Sequence, residues 1–278
     1  MNTLNRCRPL LGTFVEVSVS ADASDKELII LSNKAFDEIE RIHGLMSFHE
    51  EVSELSILNK TAHIKPHMLS KDMWVVLSQA LALSVLTDGL FDVSIGQELV
   101  AQGSLPNHLA RQHSKGTWKD IVLDEESVFF KKPLLLDLGG IAKGYAVDCA
   151  LKQLSPANSA LVNAGGDLAC TDWRTTPVSI RNPGSKGAGI TLPMSGPAVA
   201  TSGCYFQDEG SVMIDPQTRK PVEHKESVSV FAPTCMLADA LTKVAYLDKH
   251  SGALIEKLNA QAVTIDGQGN VTMWEAGK

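Results

Sequence analysis

The chain has 278 residues, 44% hydrophobic and 21% charged, with a mean hydropathy of +0.01. That balance excludes disorder and collagen-like repeats, and the length suffices to bury a core without disulfide staples. Lys and Arg total 25 against 32 Asp and Glu, a net charge of -7, so nucleic acid is not an expected partner, although a local basic patch can still hold a phosphate. The longest apolar stretch, residues 73–86, is broken by Ser78, Gln79 and Ser84 and is too short to span a bilayer.

The N-terminal residues show no apolar core and no small-residue cleavage site, which sets the cytoplasm as the expected compartment. Five cysteines, Cys7, Cys149, Cys170, Cys204 and Cys235, lie far apart and form no C-x-x-C pair. Neither a disulfide framework nor a cysteine zinc site is expected, and the thiols read as mostly buried and reduced.

Val15, Val17 and Val19 alternate with Glu16 and Ser18, the pattern of a half-buried strand. Ser24-x-x-Glu27 is a capping box, and behind it Leu28, Leu31, Ala35, Ile39, Ile42 and Met46 recur at helical spacing. A second helix is expected over residues 70–87, with Gly89 as its C′ residue. Residues 103–116 read as an exposed polar loop, 117–138 as short strands, 141–154 as a helix and 160–164 as a strand. From 171 to 230 the chain is rich in Gly, Pro, Ser and short β-patterned runs, ending in a strand over 227–232. Thr234 is then placed to cap the next helix. Strands and helices do not alternate strictly, so the expected fold is α+β, with a mixed or antiparallel β-sheet core and packed helices. A single domain spanning 1–278 is expected, with 171–230 as a candidate sub-lobe.

The most informative stretch runs Leu134-Leu-Leu-Asp-Leu-Gly-Gly-Ile-Ala-Lys-Gly-Tyr-Ala-Val-Asp148. It reads as a buried strand ending at Gly139-Gly140, followed at once by a helix with Lys143 in its first turn. Free amides, the helix dipole and a lysine favour an anion there, although a Gly-rich turn with a solvated lysine gives the same pattern. The spacing is not that of a Walker A loop. A second glycine turn, Val162-Asn-Ala-Gly-Gly-Asp167, also follows a short strand. Two such turns within thirty residues suggest two backbone segments brought to one ligand, a diphosphate by preference. Asp239 stands in an otherwise apolar helix and needs a partner or a cation; Lys243, one turn later on the same face, offers an ion pair.

Taken together, these segments resemble the ApbE family, the Mg²⁺-dependent FAD:protein FMN transferases. The matching motifs occur in the family's order over most of the chain. They include Gly12-Thr13, Met46-Ser47, Ser53-Glu-Leu-Ser with Asn59, and Gly89-Leu-Phe-Asp92. The two glycine segments at 137–148 and 163–167 follow, then Ala200-Thr-Ser-Gly203, Asp215-Pro216 and Ala238-Asp-Ala-Leu241.

The resemblance implies an ApbE-like fold and a bound FAD attacked at the phosphorus nearer riboflavin. A Thr or Ser hydroxyl of an acceptor protein with an FMN-binding domain takes the FMN, and AMP leaves. It implies a magnesium ion held by the backbone carbonyl of Gly140 and by Asp239, with Thr242 as a further candidate ligand. Lys143 corresponds to the ligand-binding lysine. Asp92, Met46 and Ser47 fall where the family contacts FAD, Thr201 and Ser202 line the site, and Gly139, Gly165, Gly166 and Asp167 belong to the cradle. Family members that work in the periplasm make that compartment the alternative to the cytoplasm.

The sequence departs from the family pattern at four places. Val212 stands where a His often precedes Asp-Pro by three residues, and valine cannot transfer a proton. His224 is the nearest replacement in sequence, so Asp239 and His224 are the candidate catalytic residues. Lys243 occupies the position, four after the helical Asp, that usually holds Thr and sometimes Ala. Its ammonium can take the metal position or swing away. His49 replaces an aromatic residue two positions after the family's Ser, and Arg219 stands at the usual glycine after Asp-Pro. Flavin transfer is the leading reading; FAD hydrolysis to FMN and AMP, and a catalytically silent FAD-binding protein, are the alternatives.

Overall fold

The structure is a computed structural model that describes residues 1–107, 116–183, 189–203, 213–222 and 226–274. In chain order the elements are β1 (Asn2–Leu10), β2 (Thr13–Ala21), α1 (Asp25–Met46), α2 (Glu54–Thr61), β3 (His67–Met68), α3 (Lys71–Leu86) and α4 (Gly96–Ala101). Then come β4 (Ile121–Leu123), β5 (Ser127–Phe130), α5 (Ala142–Gln153), β6 (Ser159–Ala164), β7 (Asp167–Cys170), β8 (Pro177–Arg181), β9 (Gly189–Pro193) and β10 (Ala198–Gly203). The series ends with β11 (Met213–Asp215), β12 (Lys220–Val222), β13 (Ser227–Ala232), α6 (Cys235–Leu247), α7 (Gly252–Lys257), β14 (Gln261–Ile265) and β15 (Val271–Met273). The arrangement is α+β, as the irregular order of elements suggests.

The chain divides into two compact units. The first comprises Met1–Arg41, Lys143–Tyr205 and His224–Lys278, the second Ile42–Ala142 and Phe206–Glu223. The division does not follow the 171–230 stretch, whose strands are shared between the two: β8, β9, β10 and β13 go to the first unit and the β11–β12 hairpin to the second.

The first unit is built on an eight-stranded sheet in the order β1-β2-β6-β7-β10-β13-β14-β15. Every neighbouring pair is antiparallel. Central strands β10 and β13 are buried on both faces. On one face Ala200, Ala232 and Ala238 meet; these small side chains let α6 lie close against the strands. On the other, Leu168, Val199, Phe231, Val263 and Ile265 form a core, with Val178, Ile190 and Leu192 of the β8–β9 hairpin packed on it. Period-2 alternation assigns Val199 and Phe231 to that core and Ala200 and Ala232 to the helix side. The expected strand at 15–19 is the second strand rather than the first, because β1 pairs with it through a two-residue turn at Leu11 and Gly12, both at positive φ. The capping box forms as read: Ser24 N–H donates to Glu27 Oε2 at 2.8 Å, and Glu27 N–H to Ser24 Oγ at 3.4 Å.

In the second unit α3 begins at Ser70, whose hydroxyl accepts from Met73 N–H. It ends one residue differently from expectation. Asp88 (φ 47°) is the left-handed C′ residue, and Gly89 N–H reaches back to Ser84 O at 2.8 Å, the six-to-one bond of a Schellman ending. Leu134, Leu135, Leu136 and Leu138 are buried but form no strand, a correction to the expected one. Their backbone is satisfied otherwise. Asn59 acts as a substitute strand partner, donating to Leu136 O at 2.9 Å and accepting from Leu136 N–H at 2.7 Å. Asp137 N–H donates to Val93 O, and Gly96 N–H to Leu135 O.

Candidate functional site

In the first unit, helices α5 and α6 and strand β7 bring four charged side chains together. Helix α6 is fixed at its N-terminus by Thr234, whose hydroxyl accepts from Leu237 N–H. It is also held by Asp148 of α5, which accepts from Cys235 N–H at 2.8 Å and Met236 N–H at 2.9 Å. Those amides lack helical partners, so a carboxylate there satisfies them and the helix dipole together. The approach is close enough that a Cβ on Gly144 would stand 2.2 Å from Cys235 O. Only glycine permits it.

That packing aims Gly144 N–H at Asp239 Oδ2, 3.2 Å away. Asp239 Oδ1 accepts from Lys243 Nζ at 2.6 Å, the one-turn ion pair that the spacing suggests. Lys243 also donates to Ser202 Oγ on β10 at 3.0 Å and to Thr242 Oγ1 at 3.1 Å. Thr242 donates its own proton to Asp239 O at 2.7 Å. Lys143, in the first turn of α5, pairs with Asp167 at the start of β7. Asp167 and Asp239 are almost wholly enclosed, whereas the Lys143 side chain keeps 35% of its exposure.

The two carboxyls diverge in proton affinity for a physical reason. Burial pushes Asp167 above the ordinary carboxylate value, the charge of Asp239 pushes the same way, and the two lysines pull back only in part. Burial also opposes ionised Asp239, but the ammonium of Lys243, then that of Lys143 and the Gly144 amide, outweigh it and hold Asp239 below its usual value. Burial alone would lower Lys143; Asp167 and then Asp239 reverse this and hold its ammonium above the ordinary lysine value. Cys235 is raised well above an ordinary thiol by burial and by Asp167, Asp148 and Asp239, so it stays protonated and inert.

The glycine pair Gly165-Gly166 makes the two-residue turn from β6 to β7, with φ of 65° and 106°. A Cβ on Gly165 would lie 2.4 Å from Thr13 Oγ1, which gives the Gly12-Thr13 motif a role in seating this turn. Thr201 and Ser202, adjacent on β10, point to opposite faces. Ser202 joins Thr242 at 2.7 Å and Lys243, while Thr201 bonds Ser229 Oγ across the ladder at 2.8 Å. Of the two, only Ser202 enters the charged cluster.

The second unit holds the remaining described candidates. Asp92 is buried, with Oδ1 accepting from Ser94 N–H at 2.8 Å. Its Oδ2 takes Trp118 N–H at 3.4 Å and Arg219 Nη2 at 3.3 Å. Arg219 also donates to Ser94 O and to Gly116 O, both at 2.9 Å, and its side chain is only 15% exposed. Its guanidinium is taken up by the protein's own acceptors. Sequence reasoning missed this clamp; the one clue was Arg at a position that usually holds glycine, and its φ of 58° explains that usual residue.

Met46 ends α1, and the next residue, Ser47, is buried; the carbonyl of Ser47 accepts from the Ser53 hydroxyl at 2.7 Å, and its Oγ accepts from His49 N–H at 3.2 Å. His49 is exposed. Gly139 and Gly140 form the turn into α5, where Gly139 N–H donates to Asp137 Oδ2 at 3.2 Å. His224 and Val212 lie outside the described residues.

The donors of the first unit do not fit the magnesium ion that the resemblance implies. Both oxygens of Asp239 are engaged by N–H donors, and the Thr242 hydroxyl is turned to Asp239 O and Lys243. The Lys243 ammonium donates to the same carboxylate and to the Ser202 and Thr242 hydroxyls. Among the described residues, no three His, Cys, Asp or Glu side chains converge as a metal-binding group. No helix among them is long and apolar enough to cross a membrane.

Among curated relatives, the FAD:protein FMN transferase of Haemophilus influenzae is 29% identical, covering 84% of this chain and 77% of its own. That of Escherichia coli K12 is 27% identical, covering 83% and 74%. Among solved structures, the ApbE protein of Thermotoga maritima superposes with a TM-score of 0.82 at 27% identity, covering 99% of this chain and 97% of its own. The flavin transferase ApbE of Vibrio cholerae gives the same TM-score and coverage at 23% identity, a likeness of fold. The Gly-Gly-Asp turn, the helix lysine and the late helical aspartate that meet in the first unit all lie within residues 11–264, the stretch matched by the ApbE family model, and on that match the chain belongs to the ApbE family.

Proposed function

We propose that this protein transfers FMN from FAD to a Ser or Thr hydroxyl of an acceptor flavoprotein, releasing AMP. The acceptor oxygen forms a bond to the phosphorus nearer riboflavin, and the bond from that phosphorus to the bridging oxygen breaks. AMP carries away that oxygen, and the hydroxyl proton passes to a base. The observation that carries the reading is the convergence of Asp167, Lys143 and Asp239 in a chain whose relatives bear this activity in their names.

Phosphoryl transfer asks the protein mainly for positioning and for charge to neutralise oxygens. Lys143 suits that task. Its ammonium is held firmly protonated and keeps a third of its surface open to a ligand. Asp167 and Asp239 anchor the two lysines, and Gly165 and Gly166 let the backbone turn tightly beside them. In this reading Met46, Ser47, His49, Gly139 and Gly140 serve the flavin nucleotide, Asp92 shapes the loop that Arg219 braces, and His224 is the candidate base.

The test mixes the purified protein with FAD and an acceptor carrying an FMN-binding domain, then separates the products on a denaturing gel. A fluorescent acceptor band with matching AMP supports transfer. AMP without a band assigns FAD hydrolysis instead, and FAD binding without AMP assigns a silent binder.

A further inference from the structure

An ammonium group has three N–H donors and no more. Those of Lys243 meet three oxygens: Asp239 Oδ1 at 2.6 Å, Ser202 Oγ at 3.0 Å and Thr242 Oγ1 at 3.1 Å. A carboxylate and two hydroxyls are the hard donors a magnesium ion takes, at about 2.0–2.1 Å and in near-octahedral array. Here they converge on nitrogen. The second carboxylate oxygen of Asp239 accepts the Gly144 amide, so each oxygen of this carboxylate already has a donor.

Charge points the same way. Asp167 and Asp239 are matched by Lys143 and Lys243, leaving the cluster neutral. A divalent ion beside two ammonium groups would meet repulsion with no uncompensated carboxylate to offset it. With a threonine at position 243, the residue usual at this point of the family pattern, one carboxylate would lack a balancing lysine.

We infer that the Lys243 ammonium is a built-in cation: it fills the position beside Asp239, so Asp239 holds no divalent ion and the flavin chemistry does not depend on one there. The last clause rests on the proposed transfer; the first two stand on the geometry of the first unit.

The experiment titrates Mn²⁺, as a spectroscopic probe of the Mg²⁺ position, into the full-length protein and follows the resonance of the free ion. The intact protein should give the same free-ion curve as Asp239→Asn, and its melting temperature should be the same in Mg²⁺ as in a chelator. Lys243→Thr, shown to be folded by circular dichroism, should gain one saturable site and bind Mn²⁺ at least about tenfold more tightly. Saturable binding by the intact protein that disappears in Asp239→Asn overturns the inference, as does a folded Lys243→Thr that gains no site. If Lys243→Thr does not fold, the comparison of intact protein with Asp239→Asn decides alone. Acceptor labelling with the chelator present is scored separately. Labelling in neither condition removes the transfer reading without touching the ion-binding result, and labelling only with Mg²⁺, in protein that with FAD present binds Mn²⁺ saturably at a site lost in Asp239→Asn, overturns the metal-independence clause.

Discussion

Each unit buries aspartate against basic side chains, and the two sites differ in what else the cations touch. Arg219 spends its guanidinium on two carboxylates, Asp92 and Glu98, on the Ser94 hydroxyl and on two backbone carbonyls, Ser94 O and Gly116 O. It ties loops together and has little surface left. The lysines of the first unit touch side chains instead, and Lys143 remains one-third exposed. A cation that satisfies backbone carbonyls is structural, whereas one left partly open beside enclosed carboxylates can meet an anion. Arginine suits the first task because its planar fork serves several acceptors at once, and lysine the second because it is a compact point charge.

That contrast can be broken most strongly at Asp92. Asp92→Ala leaves a mostly buried guanidinium with only the longer contact to Glu98 to balance its charge, and we expect a loss of about 3–5 kcal/mol in denaturant unfolding, enough to threaten folding. A loss under about 1 kcal/mol would mean that the pair behaves as a surface ion pair. Next in size is Asn59→Ala, which leaves the buried N–H and C=O of Leu136 without partners. About 2–4 kcal/mol of stability should go, read the same way.

A smaller effect sharpens the face assignment on β10. Ser202→Ala removes one acceptor of Lys243 and should cost about 1–2 kcal/mol, with weaker FAD binding by calorimetry. Thr201→Val, on the other face, should leave FAD affinity as it is. Equal effects on affinity would contradict the assignment.

The gentlest test is alkaline. Asp167 and Asp239, against burial, raise Lys143 above its unfolded value. Its contribution to stability is therefore present below the ordinary lysine range and is lost as pH rises through the raised value. Lys143→Met should flatten the alkaline limb of a plot of melting temperature against pH. Asp239, held low, acts in the opposite direction: its contribution is present above the ordinary carboxylate value and fades as pH falls through the depressed one.

Local signals in the sequence sufficed where a local cause governs. The capping box at Ser24, the Thr234 cap, the alternation at 15–19 and the one-turn spacing of Asp239 and Lys243 all reappear in the structure. What was not legible depends on distant partners. The leucine run at 134–138 looks like a strand, yet its partner is an asparagine side chain 77 residues earlier. Strand β1 carries Arg6, Arg8 and Pro9 at the sheet edge, where polar residues and proline are tolerated and the apolar alternation fades. Arg219 finds Asp92 across 127 positions. Which of Thr201 and Ser202 faces the lysines follows from register alone. For the site, the residue types were readable, but the pairing of Lys143 with Asp167 required the sheet.

The most direct measurement is peptide mass spectrometry of an acceptor flavoprotein incubated with this protein and FAD. The account predicts one Ser or Thr bearing a mass increase equal to FMN less water, with AMP released in equal amount and both lost in Lys143→Ala. An unmodified acceptor, recovered beside folded protein that has bound FAD, would contradict it.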